Sequence, residues 1–261
     1  MLAMAAASPG GVMSERFDLA GRVALVTGGS RGLGRAIALA FARAGADIVV
    51  ASRKLAACEE VAHAIEALGR RALPYACHVG QWDALDGLVD AAYAHFGAVD
   101  ILVNNAGMSP LYPSLVGVSE ALWDKVMAVN LKGPFRLSAL VGARMAAGSG
   151  GSIVNISSIA AIRPTPVETP YAAAKAGLNA LTVACAHAFG PSVRVNCIMA
   201  GPFLTDISAA WPPAALHQIE ATSALRRAGQ PDEVVGAALY FASGASSFTT
   251  GAVLRVDGGR P

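Results

Sequence analysis

A tyrosine, a lysine and a serine at fixed spacing are the residues of this 261-residue chain best suited to move a proton. Tyr171 and Lys175 are four positions apart, so on a helix they share one face. A free phenol has a pKa of roughly 10, and a neighbouring ammonium favours the phenolate and lowers that pKa toward the working range. The hydroxyl of Ser158, earlier in the chain, can hold a substrate oxygen and polarise a carbonyl. These side chains predict acid–base chemistry at a carbonyl or alcohol.

A glycine-rich segment, Thr27–Gly34, follows the first apolar run and opens the first region of helical periodicity. Glycines let a backbone turn tightly and approach a phosphate closely, and the first N–H groups of a helix attract anions. Because turns also need glycine for purely structural reasons, the spacing G-x-x-x-G-x-G alone is weak evidence for a nucleotide site. Its position after the first predicted strand makes it informative. That position predicts a nucleotide phosphate site.

Seven short apolar runs alternate along the chain with longer stretches of helical periodicity, which is typical of parallel βαβ units. The predicted strands are Arg22–Thr27, Asp47–Ala51, Ala72–Ala76, Asp100–Val103, Ser152–Ile156, Val193–Ile198 and Ala252–Val256. The predicted helices are Gly32–Ala44, Lys54–Leu68, Trp82–Phe96, Ser119–Ala147, Tyr171–Ala188 and Pro231–Ser243. Because near-continuous apolar strands need cover on both faces, the sequence predicts an α/β fold with a doubly wound parallel sheet.

No linker divides the chain, so residues 18–261 are expected to form one domain. Residues 1–17 are small and apolar and lack the basic start and long apolar core of a signal peptide, so we expect a disordered extension. Residues 201–230 hold Pro202, Trp211 and further prolines without a clear strand. A long irregular segment in a compact domain is usually a lid or binding loop, and we expect a substrate lid there.

Taken together and in this order, the motifs resemble the classical short-chain dehydrogenase/reductase family over residues 19–259. The residues that carry the resemblance are Thr27–Gly34, Asn104–Gly107, Asn130, Ser158, Tyr171–Lys175, Asn196, Gly201, Thr205 and Asp257–Gly259. The resemblance implies a single-domain Rossmann fold of about seven strands and hydride transfer with a nicotinamide cofactor. It implies that Tyr171 is the general acid/base, that Ser158 orients the carbonyl or alcohol, and that Lys175 also binds the nicotinamide ribose. Asn130 matches the asparagine that joins a water-linked proton relay in the family.

The end of the second predicted strand bears on the choice of cofactor. NAD-binding proteins usually place an acidic residue there for the ribose 2′-hydroxyl, whereas this chain has Ser52, Arg53 and Lys54. Arg53 and Arg31 can clamp a 2′-phosphate while Ser52 donates a hydrogen bond, so NADP(H) is favoured over NAD(H). The predicted cofactor-binding residues are Gly28, Ser30, Arg31, Gly32, Leu33, Gly34, Ser52, Arg53, His78, Val79, Asn105, Ala106, Gly107, Tyr171, Lys175, Gly201, Phe203 and Thr205.

Two positions near the cofactor depart from the family pattern. After the third strand the chain has Cys77, His78 and Val79, where the family commonly has an acid near the adenine. His78 therefore offers different hydrogen bonding, while Val79 can still pack on the adenine. Ala200 replaces a proline before Gly201, which is expected to loosen the loop that orders the nicotinamide. Neither change removes a catalytic group.

The substrate pocket is expected to be mainly apolar. In the resembled family three variable segments ring it, here residues 108–117, 159–170 and 202–227. These segments offer the candidate pocket residues Leu111, Tyr112, Ile162 and Trp211. The sequence therefore favours an NADP(H)-dependent oxidoreductase acting on a small, mostly apolar carbonyl or secondary alcohol.

Two alternatives stay open. The first is a 3-oxoacyl-carrier-protein reductase, which tends to dock its acidic carrier on a basic cluster at the end of the long fourth helix. Here that end has only Arg144, and steering toward an acidic partner needs a local positive field. The second alternative is a nucleotide-sensing scaffold without turnover, although a sensor has no need for Ser158, Tyr171 and Lys175 together.

The composition argues against several other functions. A formal charge of +2, from 20 basic and 18 acidic residues, does not favour binding to nucleic acid. No apolar run approaches the ~20 residues of a membrane-spanning helix. The four cysteines form no CxxC pair and no zinc spacing, so no metal is expected, and reduced thiols favour a cytoplasmic location.

The low share of charged residues predicts association between copies of the chain. The chain is 54% hydrophobic and 15% charged, against about 25% charged in ordinary domains. Helices that are apolar on most sides are expected to be buried on most sides. In the resembled family the helices equivalent to 119–147 and 171–188 pair between subunits and the last strand forms a second interface. We therefore expect a homo-oligomer, specifically a tetramer.

Overall fold

A seven-stranded parallel sheet forms the centre of the computed structural model, which describes residues 16–206, 208, 211 and 213–261. The strand order is β3-β2-β1-β4-β5-β6-β7, and every neighbouring pair is parallel. The strands are β1 (Val23–Thr27), β2 (Asp47–Ser52), β3 (Ala72–Ala76), β4 (Ile101–Asn104), β5 (Gly151–Ser158), β6 (Val193–Ala200) and β7 (Val253–Val256). The predicted Rossmann fold with seven strands is confirmed.

Helices cover both faces of this sheet. They are α1 (Gly32–Arg43), α2 (Leu55–Glu66), α3 (Ala84–Phe96), α4 (Glu120–Met127), α5 (Gly133–Ala147), α6 (Thr169–Phe189), α7 (Pro213–Thr222) and α8 (Val235–Ala242). Alternate residues of the buried strand β1 enter two separate apolar cores: Ala24 packs with α1, α2 and α8, and Leu25 packs with α3, α5 and α6. This double burial explains why the central strands are apolar on both faces.

The predicted long helix Ser119–Ala147 is interrupted. Between α4 and α5 the chain makes a π-helical turn, Ala128–Lys132. At that turn the side-chain amide of Asn130 donates to the carbonyls of Val126 at 2.9 Å and Met108 at 2.8 Å. Single π-helical turns inside α-helices are frequent at functional sites. Apolar periodicity alone does not reveal such a turn, because the flanking segments keep the ordinary helical period.

The segment 201–230 contains more regular structure than predicted. It holds helix α7, and Phe203 forms an isolated parallel bridge with Gly229 near its other end. Pro213 begins α7, a position where proline is well tolerated because the first helical N–H groups have no partner inside the helix. The predicted N-terminal extension, residues 1–17, lies outside the described residues except for Arg16 and Phe17. None of the described helices has the length and hydropathy needed to cross a membrane.

Candidate active site

The loops after β1 and β4 meet at the carboxyl edge of the sheet, where the strand order changes direction. Asn105 joins them: its side-chain amide donates to the carbonyls of Thr27 at 2.9 Å and Gly28 at 3.3 Å. The Thr27 hydroxyl in turn accepts from the backbone N–H groups of Asn105 and Ala106. Crevices at such a reversal of strand order are where doubly wound sheets bind ligands.

The glycine-rich loop has the shape of a phosphate cradle. Gly28 has a φ of +62°, and a Cβ atom there would lie 2.8 Å from the Asn105 amide nitrogen. A Cβ atom at Gly34 would overlap the Gly28 carbonyl oxygen. Arg31 precedes helix α1 without capping it through its side chain, and among the described residues no side chain accepts from the first N–H groups of this helix. Free N–H groups at a helix N-terminus fit the pyrophosphate of a dinucleotide.

Asn130, Gly107 and Lys175 come together beside this cradle. A Cβ atom at Gly107 would lie 3.0 Å from Asn130 Oδ1 and 3.7 Å from Lys175 Nζ. The buried Lys175 Nζ donates to the Ile156 carbonyl at 2.7 Å and lies 5.7 Å from the centroid of the Tyr171 ring. Residues distant in sequence, on the π-helical turn, the loop after β4 and helix α6, are thereby brought to one site.

Ser158 ends strand β5 and caps the short 3₁₀ turn that follows. Its Oγ accepts from the N–H of Ala160 at 3.2 Å, which leaves the hydroxyl hydrogen for another acceptor. The Ser158 hydroxyl also acts on Tyr171, since its hydrogen bonding lowers the pKa of that phenol. Ser158 and Tyr171 are therefore neighbours in the site.

Helix α6 is anchored to the sheet by a buried chain of hydrogen bonds. Asn104 donates to Asn155 Oδ1 at 2.9 Å, and Asn155 donates to Thr182 Oγ1 at 2.9 Å. The Thr182 hydroxyl donates to the Leu178 carbonyl one turn earlier. These hydrogen bonds link β4, β5 and α6 in series, and hydrogen-bonded networks in a core add rigidity; Asn104 Oδ1 has no partner among the described residues. This series of hydrogen bonds therefore holds α6, the helix that carries Tyr171 and Lys175, against β4 and β5.

Desolvation sets the acid–base strengths of the central pair. Loss of solvent around the half-buried Tyr171 raises its pKa to about 12; the Ser158 hydroxyl opposes this shift and the Glu168 charge adds to it. Burial lowers the pKa of Lys175 to about 8. The expectation that the pKa of Tyr171 lies lowered toward the working range is therefore wrong here, because desolvation of the phenol dominates and raises that pKa.

The residues predicted to select the cofactor lie at the open end of the crevice. Ser52 ends β2, and its Oγ lies 3.1 Å from Cys58 Sγ. Arg53 follows it and is exposed, as is Arg31. Arg31 Nη1 lies 3.7 Å from Asp206 Oδ2, a loose pair in which both side chains are more than half exposed. Both guanidinium groups are accessible to an anion.

Several other predicted cofactor residues have evident structural tasks. His78 Nδ1 accepts from the N–H of Gly80 at 3.1 Å and so closes its own turn. The Phe203 side chain is buried in the apolar core, against Gly229. Gly201 is required by close approach: a Cβ atom there would lie 2.5 Å from the Cα of Asp257. Of the remaining predicted residues, Ser30, Val79 and Thr205 lie in loops, and Gly32 and Leu33 begin helix α1, where a Cβ atom at Gly32 would lie 3.4 Å from Thr205 Cγ2.

A narrow cleft adjoins Tyr171. Its lining residues are Pro110, Tyr112, Leu122, Val126, Glu168, Pro170 and Tyr171. Of the four predicted pocket residues, Tyr112 lines this cleft, whereas Leu111, Ile162 and Trp211 do not. Leu111 and Ile162 are exposed. Within the residues described, no group of three His, Cys, Asp or Glu side chains is placed to hold a metal ion.

Helix α4 and Glu168 also line this cleft, and neither was predicted from the sequence. Leu122 and Val126 have the spacing of one helix face, which core packing alone would also explain. Glu168 lies three residues before Tyr171, and this closeness in the sequence is the one feature that could have predicted its place near Tyr171. The apolar side chains around it gave no reason to single out one carboxylate in an exposed loop.

Comparisons with known proteins cover nearly the whole chain. A family model described as enoyl-(acyl carrier protein) reductase matches residues 28–260. Human dehydrogenase/reductase SDR family member 4 is 36% identical over 252 residues, 95% of this chain and 91% of that protein. The structure of a short-chain type dehydrogenase/reductase from Mycobacterium marinum has a TM-score of 0.87 at 34% identity, covering 94% of this chain and 97% of the other. A gluconate 5-dehydrogenase from Burkholderia cenocepacia, solved with NADP and tartrate, has a TM-score of 0.90 at 34% identity, covering 94% and 97%.

The matches agree with the fold and with the order of the motifs. Identity above 30% over such coverage extends from the glycine-rich loop to the last strand. The sheet order and the convergence of Asn130, Tyr171 and Lys175 follow from the coordinates independently of these matches. The chain therefore belongs to the short-chain dehydrogenase/reductase family of oxidoreductases.

Proposed function

We propose that this protein is an NADP(H)-dependent oxidoreductase that interconverts a carbonyl and a secondary alcohol on a small, mainly apolar molecule. The observation that carries the proposal is the convergence of Asn130, Gly107 and Lys175 beside Tyr171 at the glycine-rich crevice. A bound nicotinamide would supply or accept the hydride. The chain's own residues would supply the proton and hold the substrate oxygen.

Proton transfer is assigned to Tyr171 and its neighbours. Ser158, whose hydroxyl hydrogen is free to donate, binds the substrate oxygen and polarises the carbonyl. Tyr171 gives its phenolic proton to that oxygen in reduction and takes it back in oxidation. Lys175 as an ammonium stabilises the phenolate that reduction leaves behind. Asn130 holds the loop of Met108 in place and belongs to the proposed water-linked relay.

The preference for NADP(H) rests on charge at the end of β2. Ser52 and Arg53 stand where an acid would bind the ribose 2′-hydroxyl, and Arg31 is exposed on the adjacent loop. Because the Arg31–Asp206 pair is loose and exposed, a 2′-phosphate can replace Asp206 at little cost. The gluconate 5-dehydrogenase from Burkholderia cenocepacia, solved with NADP, supports the same reading.

The kinetic test of cofactor choice compares NADPH with NADH at kcat/KM. Wild type is expected to favour NADPH, and Arg53→Gln is expected to reduce that preference at least tenfold with little effect on NADH. Arg43→Gln, at the far end of α1, serves as the control. Equal kcat/KM for the two cofactors in the wild type would remove the NADP(H) assignment.

Carrier-protein substrates are less favoured by the surface of α5. Arg144, the basic residue near the end of that helix, pairs with Asp90 at 2.5 Å, and its guanidinium lies over the Tyr93 ring at 4.8 Å. A guanidinium engaged in this way offers little field for docking an acidic carrier. A free small molecule therefore remains the better substrate class.

The remaining expectations belong to the same proposal. Residues 18–261 form the catalytic domain, and residues 201–230, including α7, form its substrate lid. Four free, buried cysteines support a cytoplasmic location in a reducing compartment. A mainly apolar face on α5, α6 and the turn before α5 supports a homotetramer; it contains Met127, Leu131, Phe135, Gly177, Ala180, Leu181 and Ala184, with Lys132 as its one charged residue.

A panel of ketones and secondary alcohols, followed by nicotinamide absorbance, tests the activity. Tyr171→Phe is expected to lower kcat by at least about 100-fold, the low end of general acid catalysis, while NADPH binding persists. Tyr75→Phe removes a hydroxyl for which the described residues provide no hydrogen bond and is the matched control. Near wild-type turnover by Tyr171→Phe on a good substrate would refute the mechanism, and no turnover of any panel member would refute the function.

A further inference from the structure

Glu168 is a carboxylate in an otherwise uncharged cleft. The other lining side chains come from prolines, tyrosines, a leucine and a valine. Glu168 is half-buried, and its desolvation raises its pKa above the ordinary value, which is the physical sign of a charge held partly out of water. It lies close enough to Tyr171 for its charge to raise the pKa of that phenol. Any molecule reaching Tyr171 through this cleft therefore meets one negative charge.

Helix capping does not account for this carboxylate. Glu168 occupies the N-cap position of α6, where an acidic side chain often accepts from a free N–H group, but its side chain makes no such bond. The first N–H, of Thr169, donates to the Tyr112 hydroxyl at 2.7 Å, and the N–H of Ala172 donates to the Glu168 backbone carbonyl at 2.8 Å. The N–H groups of Thr169 and Ala172 are thus paired without the Glu168 carboxylate.

One carboxylate oxygen is left without a protein donor among the described residues. Oε1 accepts from the Thr165 hydroxyl at 3.1 Å, and no hydrogen bond from the described part of the chain reaches Oε2. Arg260 is the nearby cation whose charge acts on Glu168, yet the two side chains form no ion pair within 4.0 Å. The carboxylate is therefore available to a ligand.

We propose that Glu168 is a specificity-determining residue that favours ketone substrates bearing a cationic ammonium group and disfavours those bearing a carboxylate. The inference rests on the proposed oxidoreductase activity at Tyr171 and names the substrate class of that site. Its basis is that a fixed charge in a partly desolvated cleft attracts opposite charge and repels like charge more strongly than it would in water. A neutral apolar ketone meets no such charge effect, since the rest of the lining is uncharged.

Two ketones of equal shape and different charge test the proposal. N,N-dimethyl-4-oxopiperidinium carries a permanent positive charge, and 4,4-dimethylcyclohexanone is its neutral analogue. The quantity measured is the ratio of their kcat/KM values in the wild type, in Glu168→Gln and in Glu66→Gln, an exposed control on α2. The ratio cancels any general effect of Glu168 on Tyr171, because that effect applies to both ketones.

Glu168→Gln is expected to lower the ratio of cationic to neutral ketone about tenfold, chiefly through KM of the cation, and Glu66→Gln is expected to leave it unchanged. With 4-oxocyclohexanecarboxylate, Glu168→Gln is expected to raise kcat/KM relative to the neutral ketone. A ratio that is the same in Glu168→Gln and wild type overturns the proposal while leaving the activity intact.

Failure of the proposed function is recognised separately. If the wild type turns over neither these two ketones nor any member of the ketone and alcohol panel with NADPH or NADH, the activity assignment fails, and binding of the two ketones is then measured by calorimetry. Tighter binding of the cation than of the neutral ketone, lost in Glu168→Gln, supports the carboxylate as a cation-selecting group. Equal binding by wild type and Glu168→Gln overturns it.

Discussion

At the scale of single residues, the environment of Tyr171 changes the chemistry expected of its phenol. With a pKa of about 12, the phenol keeps its proton throughout the neutral range and is suited to act as an acid. Lys175, with a pKa of about 8, begins to lose its charge just above neutrality. In the proposed mechanism this favours carbonyl reduction, and the pKa of Lys175 would set the upper pH at which the resulting phenolate is stabilised.

The pH dependence of kcat/KM follows from these two values. Reduction is expected to be level below about pH 8 and to decline above it, because Lys175 loses its proton before Tyr171 does. Alcohol oxidation is expected to rise toward alkaline pH, since it requires the phenolate. Initial rates from pH 6 to 10 in both directions check this. A decline in reduction that begins below pH 7, or no decline by pH 10, would contradict it.

At the scale of elements, the Tyr112 hydroxyl ties a loop to the catalytic helix. It donates to the Pro166 carbonyl at 2.6 Å and accepts from the N–H of Thr169 at 2.7 Å, so it links the loop after β4 with the start of α6. Thr169 begins α6, and Tyr171 lies two residues further on. The predicted pocket residue Tyr112 therefore has a positioning task that its apolar ring does not reveal.

Tyr112→Phe is expected to lower kcat about tenfold while leaving the affinity for NADPH unchanged. Loss of the hydroxyl leaves the Thr169 N–H and the Pro166 carbonyl without this partner, at a cost of about 1 kcal/mol, and loosens the helix start that carries Tyr171. Steady-state kinetics and NADPH binding measure the two effects, with Tyr75→Phe as the control. If Tyr112→Phe lost NADPH affinity by the same factor as kcat, the result would indicate general damage to the fold.

A second tie between elements is a buried acid at the start of β2. Burial alone would raise the pKa of Asp47, but hydrogen bonds and charge from Arg71 and Arg70 hold it below its ordinary 3.8. The carboxylate accepts from Arg70 Nη2 at 2.6 Å and Arg71 Nε at 2.7 Å. A carboxylate whose pKa is lower in the native protein than in the unfolded chain stabilises the fold at pH values above the unfolded pKa. That stabilisation is lost as the pH falls through the native pKa.

Asp47→Asn is therefore expected to reduce the free energy of unfolding by about 2 kcal/mol at pH 7. The deficit is expected to shrink as the pH falls below about 4, where the carboxylate becomes protonated first in the unfolded chain and, at lower pH, in the native protein. Urea unfolding across this pH range measures both. Glu59→Gln, an exposed acid on α2, is the control. A deficit that does not change with pH would show that charge is not its cause.

At the scale of the whole molecule, the exposed apolar face on α5 and α6 is expected to be covered by another copy of the chain. Phe135 leaves 46% of its surface exposed there, and Gly177 allows Leu131 to approach α6 closely, since a Cβ atom would lie 3.0 Å from Leu131 Cδ2. Strand β7 leaves Val253 and Leu254 exposed at the edge of the sheet. Two exposed apolar surfaces on different sides allow two distinct interfaces, as a tetramer requires.

Light scattering at micromolar concentration is expected to give about 106 kDa for four chains of 26.4 kDa. Phe135→Asp is expected to shift the mass to that of a dimer or monomer, because a charge cannot be buried unpaired in an apolar interface. Leu55→Asp, exposed on α2, is expected to leave the mass unchanged. A wild-type monomer would refute the oligomer proposal.

The amino-acid sequence by itself determined the sheet, the helices around it and the order of the loops. Strand and helix periods are local patterns, and parallel pairing then brings the ends of β1, β4 and β5 to one edge. For that reason Ser158, Tyr171 and Lys175 could be predicted as one site from their spacing together with the order of the motifs. Apolar runs also located all seven strands, because burial on both faces requires an apolar residue at nearly every position.

Tertiary structure decided what depends on surroundings rather than on pattern. The π-helical turn at Asn130, the core position of Phe203 and the place of Glu168 in the cleft all depend on contacts between distant segments. The raised pKa of Tyr171 has the same origin, because desolvation is a sum over every neighbour that excludes water. Spacing along a chain carries no measure of that sum, so only the folded arrangement shows whether a phenol beside a lysine holds its proton.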